Sequence, residues 1–116
     1  MKKPVVINTA TIAAMPAFEA MPEMPGRQRP SARSAAAPIP EDQGASSGIW
    51  ECTEGSFRRQ ITKREFSHFL EGRCTFTPDG GEPVEINAGD AVYFPADCFG
   101  TWNVLQAIRK TFIVLD

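Results

Sequence analysis

From residue 49 to the end of the chain, apolar residues fall in short runs rich in β-branched and aromatic types, broken every few residues by Gly, Pro or Asp. That pattern predicts many short strands. The runs place them at residues 49–53, 56–62, 65–70, 73–77, 83–86, 91–94, 101–105 and 108–115, and no competing helical period interrupts them. Pro78-Asp79-Gly80-Gly81 reads as a hairpin turn whose glycines accept positive φ, and Ala88-Gly89-Asp90 as a second sharp turn. Eight closely spaced strands imply an all-β sandwich or barrel.

The first 47 residues have a different texture. Between Ala13 and Ser47 the chain is crowded with Pro, Ala, Ser, Arg and Met, and Pro16, Pro22, Pro25, Pro30, Pro38 and Pro40 argue against any long helix or sheet ladder. The expected organisation is an irregular arm over residues 1–47 followed by a barrel over residues 48–116. Arg27, Arg29 and Arg33 make the arm locally basic, but Glu19, Glu23, Glu41 and Asp42 flank them, which favours a solvated tether over a binding patch. Residues 4–8 have the composition of one strand, which needs a partner to be stable. A barrel of some 70 residues rarely supplies more than about 3–5 kcal/mol by itself. Both points predict a homodimer, with Val5-Val6-Ile7 completing the partner's sheet.

Composition narrows the function classes. The chain has 116 residues, 42% hydrophobic and 22% charged, as expected for one globular domain. A net charge of −2 supplies no positive field for phosphate backbones or anionic lipid, so neither nucleic acid nor membrane is an expected partner. Asn8, Thr9 and Thr11 interrupt the apolar start before it reaches the length of a signal-peptide core, and no apolar run approaches a membrane span. Cys52, Cys74 and Cys98 are odd in number and widely spaced, without a CxxC pair. Reduced thiols in a cytoplasmic protein are the expectation.

Two stretches carry a more specific signal: Glu65-Phe-Ser-His-Phe-Leu-Glu-Gly72, and Gly89-Asp-Ala-Val-Tyr-Phe-Pro95 continuing to Gly100-Thr-Trp102. They resemble the two motifs of the cupin superfamily. Glu65 and Gly72 match the close of the first motif, and Gly89 and Pro95 match the opening of the second. With Gly48-Ile-Trp50-Glu51-Cys52, Gly55, Phe57-Arg58 and Arg109-Lys110, the chain resembles small single-domain cupins related to (S)-ureidoglycine aminohydrolase. The resemblance implies a jelly-roll-like, double-stranded β-helix barrel, and in metal-binding members three His and one Glu pointing inward.

This chain has one His. Where the resemblance would place the first two ligands stand Arg58 and Gln60, or Arg59 and Ile61, according to the spacing, and the last His position is Gly100. Only Glu65 matches, so the expectation is no metal and no cofactor. His68 lies an odd number of residues from Glu65 and projects to the opposite strand face. A site from Glu65, Asp97 and Cys98 is the remaining metal alternative. A carboxylate facing the cavity needs a cation or a hydrogen-bond donor, and Arg58 or Arg59 is the expected partner. Trp50, Tyr93, Phe94 and Trp102 are core aromatics by default, with Trp102 the best candidate for a pocket wall because it shares a face with Gly100. Gly100 leaves room for a ligand atom or for another side chain. Cys98 reads as a small apolar filler, because no base accompanies it.

The site expected from the sequence is thus Arg58, Gln60, Glu65, Tyr93 and Trp102, holding a small polar metabolite in a metal-free barrel. Two alternatives stand beside it. One is a manganese-dependent aminohydrolase, as the resemblance implies. The other is a metal-free, sugar-epimerase-like barrel using His68 as base and Tyr93 as acid.

Overall fold

Alternation along the two longest strands organises the molecule. In the computed structural model, which describes residues 3–37 and 45–115, Glu65, Ser67 and Phe69 are buried while Phe66, His68 and Leu70 face outward. Trp102, Val104, Ile108 and Lys110 likewise point inward from the second strand. The described elements are a one-turn helix α1 (Thr9–Ala13) and strands β1 (Glu19–Ala20), β2 (Ser31–Ala36), β3 (Ala45–Cys52), β4 (Gly55–Ile61), β5 (Arg64–Pro78), β6 (Val84–Asn87), β7 (Ala91–Phe94) and β8 (Cys98–Leu115).

All eight strands belong to one antiparallel sheet, ordered β1-β2-β3-β8-β5-β6, with β4 also paired to β8 and β7 to β5. Strands β5 and β8 are long because each fuses two expected strands into one bent strand. The first half of β5 pairs with the last half of β8, and the reverse, so the two cross the molecule as its spine. Register shifts between Phe69 and Cys74 let β5 bend, and Gly72 sits there at φ 81°, where a Cβ would collide with the carbonyls of Gln106 and Ala107. The sheet curls around a core that includes Phe57, Phe69, Phe76, Phe94, Trp102, Ile86, Val104 and Ile108.

The arm differs from its expectation in part. Residues 31–36 form an ordered ladder with β3, from Ala32 opposite Cys52 to Ala36 opposite Gly48. This segment contains no Pro, and its small side chains let the ladder close. Glu51 fastens it, accepting from Arg33 at 2.8 Å and from Arg109 at 3.1 Å. Arg33 also lies 4.4 Å from the Phe18 ring centroid. Residues 4–7 form no strand, and Asn8 instead caps α1 by accepting from the amides of Ala10 and Thr11. Pro38, Pro40, Glu41 and Asp42 lie outside the described residues. Among those described, no helix is long and apolar enough to cross a membrane.

Candidate functional site

Lys110 is the polar centre of the barrel. It stands opposite Phe69 on β5 and Trp50 on β3, and so projects into the interior between them. Its Nζ donates to Glu65 Oε2 at 2.5 Å, and both side chains are only 8% exposed. Ser67, two residues along the same face, donates its hydroxyl to the same carboxylate oxygen at 2.8 Å. Four aromatic rings surround the ammonium: Trp50, Trp102, Phe69 and Phe94, with centroids 5.2–5.5 Å from Nζ. Those distances fall within cation–π range, so ring faces answer the part of the charge that Glu65 does not.

Burial would push the Glu65 carboxyl up, but the Lys110 charge and hydrogen bond, aided by Ser67 and the Arg59 charge, hold it below its ordinary range. Burial pulls Lys110 down against the opposing pull of Glu65, and the Arg59 charge adds to that lowering. The geometry is that of an ion pair, with Nζ 2.5 Å from the carboxylate, around a lysine held below its ordinary range by burial. No buried side-chain nitrogen or oxygen among the described residues lacks a hydrogen-bond partner.

Above this pair opens a pocket of about 240 Å³, lined by Ser34, Trp50, Arg59, Glu65, Trp102, Lys110, Phe112 and Val114. Its charged groups are two cations and one carboxylate. Arg59, which no described residue answers with a hydrogen bond, leaves the lining with one excess positive charge.

The register between β4 and β8 decides which arginine takes part. Phe57 pairs with Trp102 and Arg59 with Gly100, so residues 57, 59 and 61 share the interior face. Arg58 and Gln60 thereby fall on the other face of β4 and neither lines this pocket, although Gln60 borders a smaller adjoining hollow with Arg59, Glu65 and Val114. Arg58 grips Asp79 through two bonds of 2.6 and 2.7 Å on the exposed surface, and that contact holds the Asp79 carboxyl below its ordinary range. Tyr93 is also displaced from the expected site. It pairs with Phe66 on the outer face and is 54% exposed. Glu65 and Trp102 do come together, 65 on the pocket floor and 102 on its wall. The partner of Glu65 is Lys110, while Arg59 contributes only its charge. Lys110 escaped the sequence reading because a charged residue is expected outside. Its signal was the inward row Ile108, Lys110, Phe112, Val114 at strand spacing.

Gly100 makes room for another side chain: a Cβ there would meet the Phe76 ring at 2.7 Å, and the carbonyl of Thr77 lies still nearer. His68 is exposed on the outer face beside a larger cleft of about 520 Å³ shared with Val5, Ile7, Phe66 and Ile113. His68 and Tyr93 both lie outside the pocket.

The metal site that the sequence resemblance implies does not fit these residues. Among the described residues no three His, Cys, Asp or Glu side chains converge. The one matching carboxylate is engaged by an ammonium, and Asp97 and Cys98 line a separate surface hollow with Pro78 and Asp79. Burial raises the thiols of Cys52 and Cys74 to about 12 and that of Cys98 upward, so none is a ready nucleophile.

Comparison with known proteins agrees with this architecture. The EutQ-like cupin domain family matches residues 40–112, more than half of the chain. A DUF861-family protein from Thermotoga maritima is 33% identical, with a TM-score of 0.54 over 55% of this chain and 73% of that one. The EutQ protein of Clostridium difficile superposes with a TM-score of 0.67 at 16% identity, over 74% of this chain and 68% of that one. Ectoine synthase from P. lautus gives 0.64 at 16% identity, over 72% and 63%. At such identities the last two speak for the fold alone. A search of curated proteins finds no significant match. Its barrel architecture and the family match over residues 40–112 lead to one conclusion: the chain belongs to the EutQ-like cupin domain family.

Proposed function

We propose that this cupin barrel binds a small monoanionic metabolite, a short carboxylate, without a metal ion. The observation that carries this reading is the pocket lining, in which Arg59 and Lys110 face one Glu65 and leave a single positive charge to be neutralised. A volume of about 240 Å³ corresponds to about eight water molecules and sits below the usual range for drug-sized ligands. The ligand is therefore a compact one. The indole faces of Trp50 and Trp102 exclude water on one side, which strengthens a charge contact on the other.

Trp50 and Trp102 are the two tryptophans of the chain and both line the pocket, so intrinsic fluorescence reports occupancy directly. A panel of short carboxylates is expected to yield at least one that changes this fluorescence and raises the melting temperature. Arg59→Ala weakens its binding by about tenfold or more, while Arg58→Ala, on the outer surface, leaves it unchanged. A broad panel without any stabilising carboxylate sinks the reading.

Among the described residues no donor set converges that would favour the manganese aminohydrolase reading, and His68 and Tyr93, which the epimerase reading needs, do not line the pocket. Homodimerisation has support of its own. Phe66 (48% exposed) and its strand neighbour Tyr93 leave apolar surface uncovered on the outer sheet face, and Val5, in the coil ahead of α1, lines the 520 Å³ cleft together with Phe66. The reading is that a second copy covers this face. Light scattering at micromolar concentration is expected to give twice the chain mass, falling to one chain mass in Phe66→Glu. A monomeric wild-type protein rules the dimer out.

A further inference from the structure

A buried lysine amine at the floor of an open pocket is a nucleophile as well as a charge. Three features of this site favour its reaction with a carbonyl compound. Lys110 is one of the residues that line the pocket, and its Nζ is held beside Glu65 of the same lining. Its acid–base partner is in place: Glu65 Oε2 accepts from Nζ and from Ser67, while Oε1 has no hydrogen-bond partner among the described residues and remains accessible. The third is Arg59, a second cation on the same lining. One carboxylate and one carbonyl, adjacent in a small molecule, match Arg59 and Lys110 together.

We infer that Lys110 captures short α-oxo acids as a reversible imine, with Arg59 holding the carboxylate and Glu65 moving the protons. This rests on the reading of the pocket as a short-carboxylate site. Glu65 first takes a proton from the Lys110 ammonium. The freed lone pair forms an N–C bond to the carbonyl carbon as the C=O π pair moves to oxygen. Oxygen gains a proton and nitrogen loses one, giving a neutral carbinolamine. Protonation of its hydroxyl by Glu65 releases water as the nitrogen lone pair closes the C=N bond. The sum is ammonium plus carbonyl giving protonated imine plus water, with charge conserved and no redox change. The four rings around Nζ limit competing water there, which favours loss of water from the carbinolamine.

The test uses the full-length protein with pyruvate and glyoxylate as probes and sodium cyanoborohydride as the trapping hydride donor. Intact mass and peptide mapping are expected to show one adduct, on Lys110, heavier by pyruvic acid less one oxygen. Its rate should exceed that at exposed Lys63 by about tenfold or more, since a positioned reactant gains that much easily. Mapping in the wild type needs no destabilised variant. The double variant Glu65→Gln/Lys110→Met serves as the control and should lose the adduct. Lactate, which has the carboxylate but no carbonyl, separates the two readings. Stabilisation by lactate and pyruvate with no adduct on Lys110 overturns the imine and leaves the carboxylate site standing. Neither stabilisation nor adduct overturns both, and labelling spread evenly over Lys110 and Lys63 overturns the imine as a built site.

Discussion

Replacing Lys110 by Met tests the buried pair most directly. The substitution keeps the volume of the side chain and its packing against four rings, since a thioether also contacts aromatic faces favourably. What it removes is the charge. Glu65, 8% exposed and bonded to Nζ at 2.5 Å, is then a buried carboxylate without a cation in contact. Breaking such a pair costs about 3–5 kcal/mol. For a domain of this size 1 kcal/mol moves the midpoint by about 4 °C, so Tm should fall by about 12–20 °C.

The pH dependence gives the sign. In the wild type the Glu65 carboxyl is held low, so its contribution is present above the ordinary carboxylate range and is lost as pH falls through its folded value. In Lys110→Met the same carboxyl, buried and left with only the Ser67 hydroxyl and the charge of Arg59, is expected to move above its unfolded value. Its contribution is then complete only below the unfolded value and is lost as pH rises. The gap between variant and wild type should therefore be small near about pH 4 and largest above about pH 7. Urea denaturation followed by tryptophan fluorescence measures it. Glu65→Gln combined with Lys110→Met should recover most of the loss, because an amide needs no counter-charge. A single-variant cost under about 1 kcal/mol at neutral pH, or a gap independent of pH, refutes the buried pair.

Other outcomes follow from the packing. Gly100→Ala should destabilise by about 1–3 kcal/mol through overpacking, because its Cβ meets Phe76 and the Thr77 carbonyl. Denaturation that shows no loss would mean that Phe76 moves aside freely. Thiol labelling of the native protein at mildly alkaline pH should modify Cys98 first, with Cys52 and Cys74 protected by burial and thiols raised to about 12. Equal labelling of all three would contradict the closed core.

Much of the barrel was legible in the chain. The runs at 56–62, 83–86 and 91–94 fall within a residue or so of β4, β6 and β7, because alternation and turn residues act locally. Fusion of two runs into β5 and of two into β8 was not legible, since the bulge at Gly72 resembles a turn until β8 is seen passing beside it. The ladder of residues 31–36 was hidden for a similar reason: six small or polar residues acquire a strand only when β3 offers its edge.

At the site, the sequence alone determined that Glu65 and Trp102 face inward, that His68 faces away, and that the usual ligand histidines are missing. The faces follow from parity along a single strand once the resemblance sets Glu65 inward, and the missing ligands follow from the chain's single His. Which side chain answers Glu65, and which of two neighbouring arginines enters the pocket, was decided only by the tertiary structure. Lys110 is 45 residues from Glu65, and Arg59 owes its place to pairing with Gly100 across β8. A one-residue shift of that register would put Arg58 inside instead. Parity is a property of one strand, but register belongs to pairs of strands. It is fixed by the collective burial of Phe57, Phe69, Phe76 and Trp102, an energy that exists only once the barrel has closed.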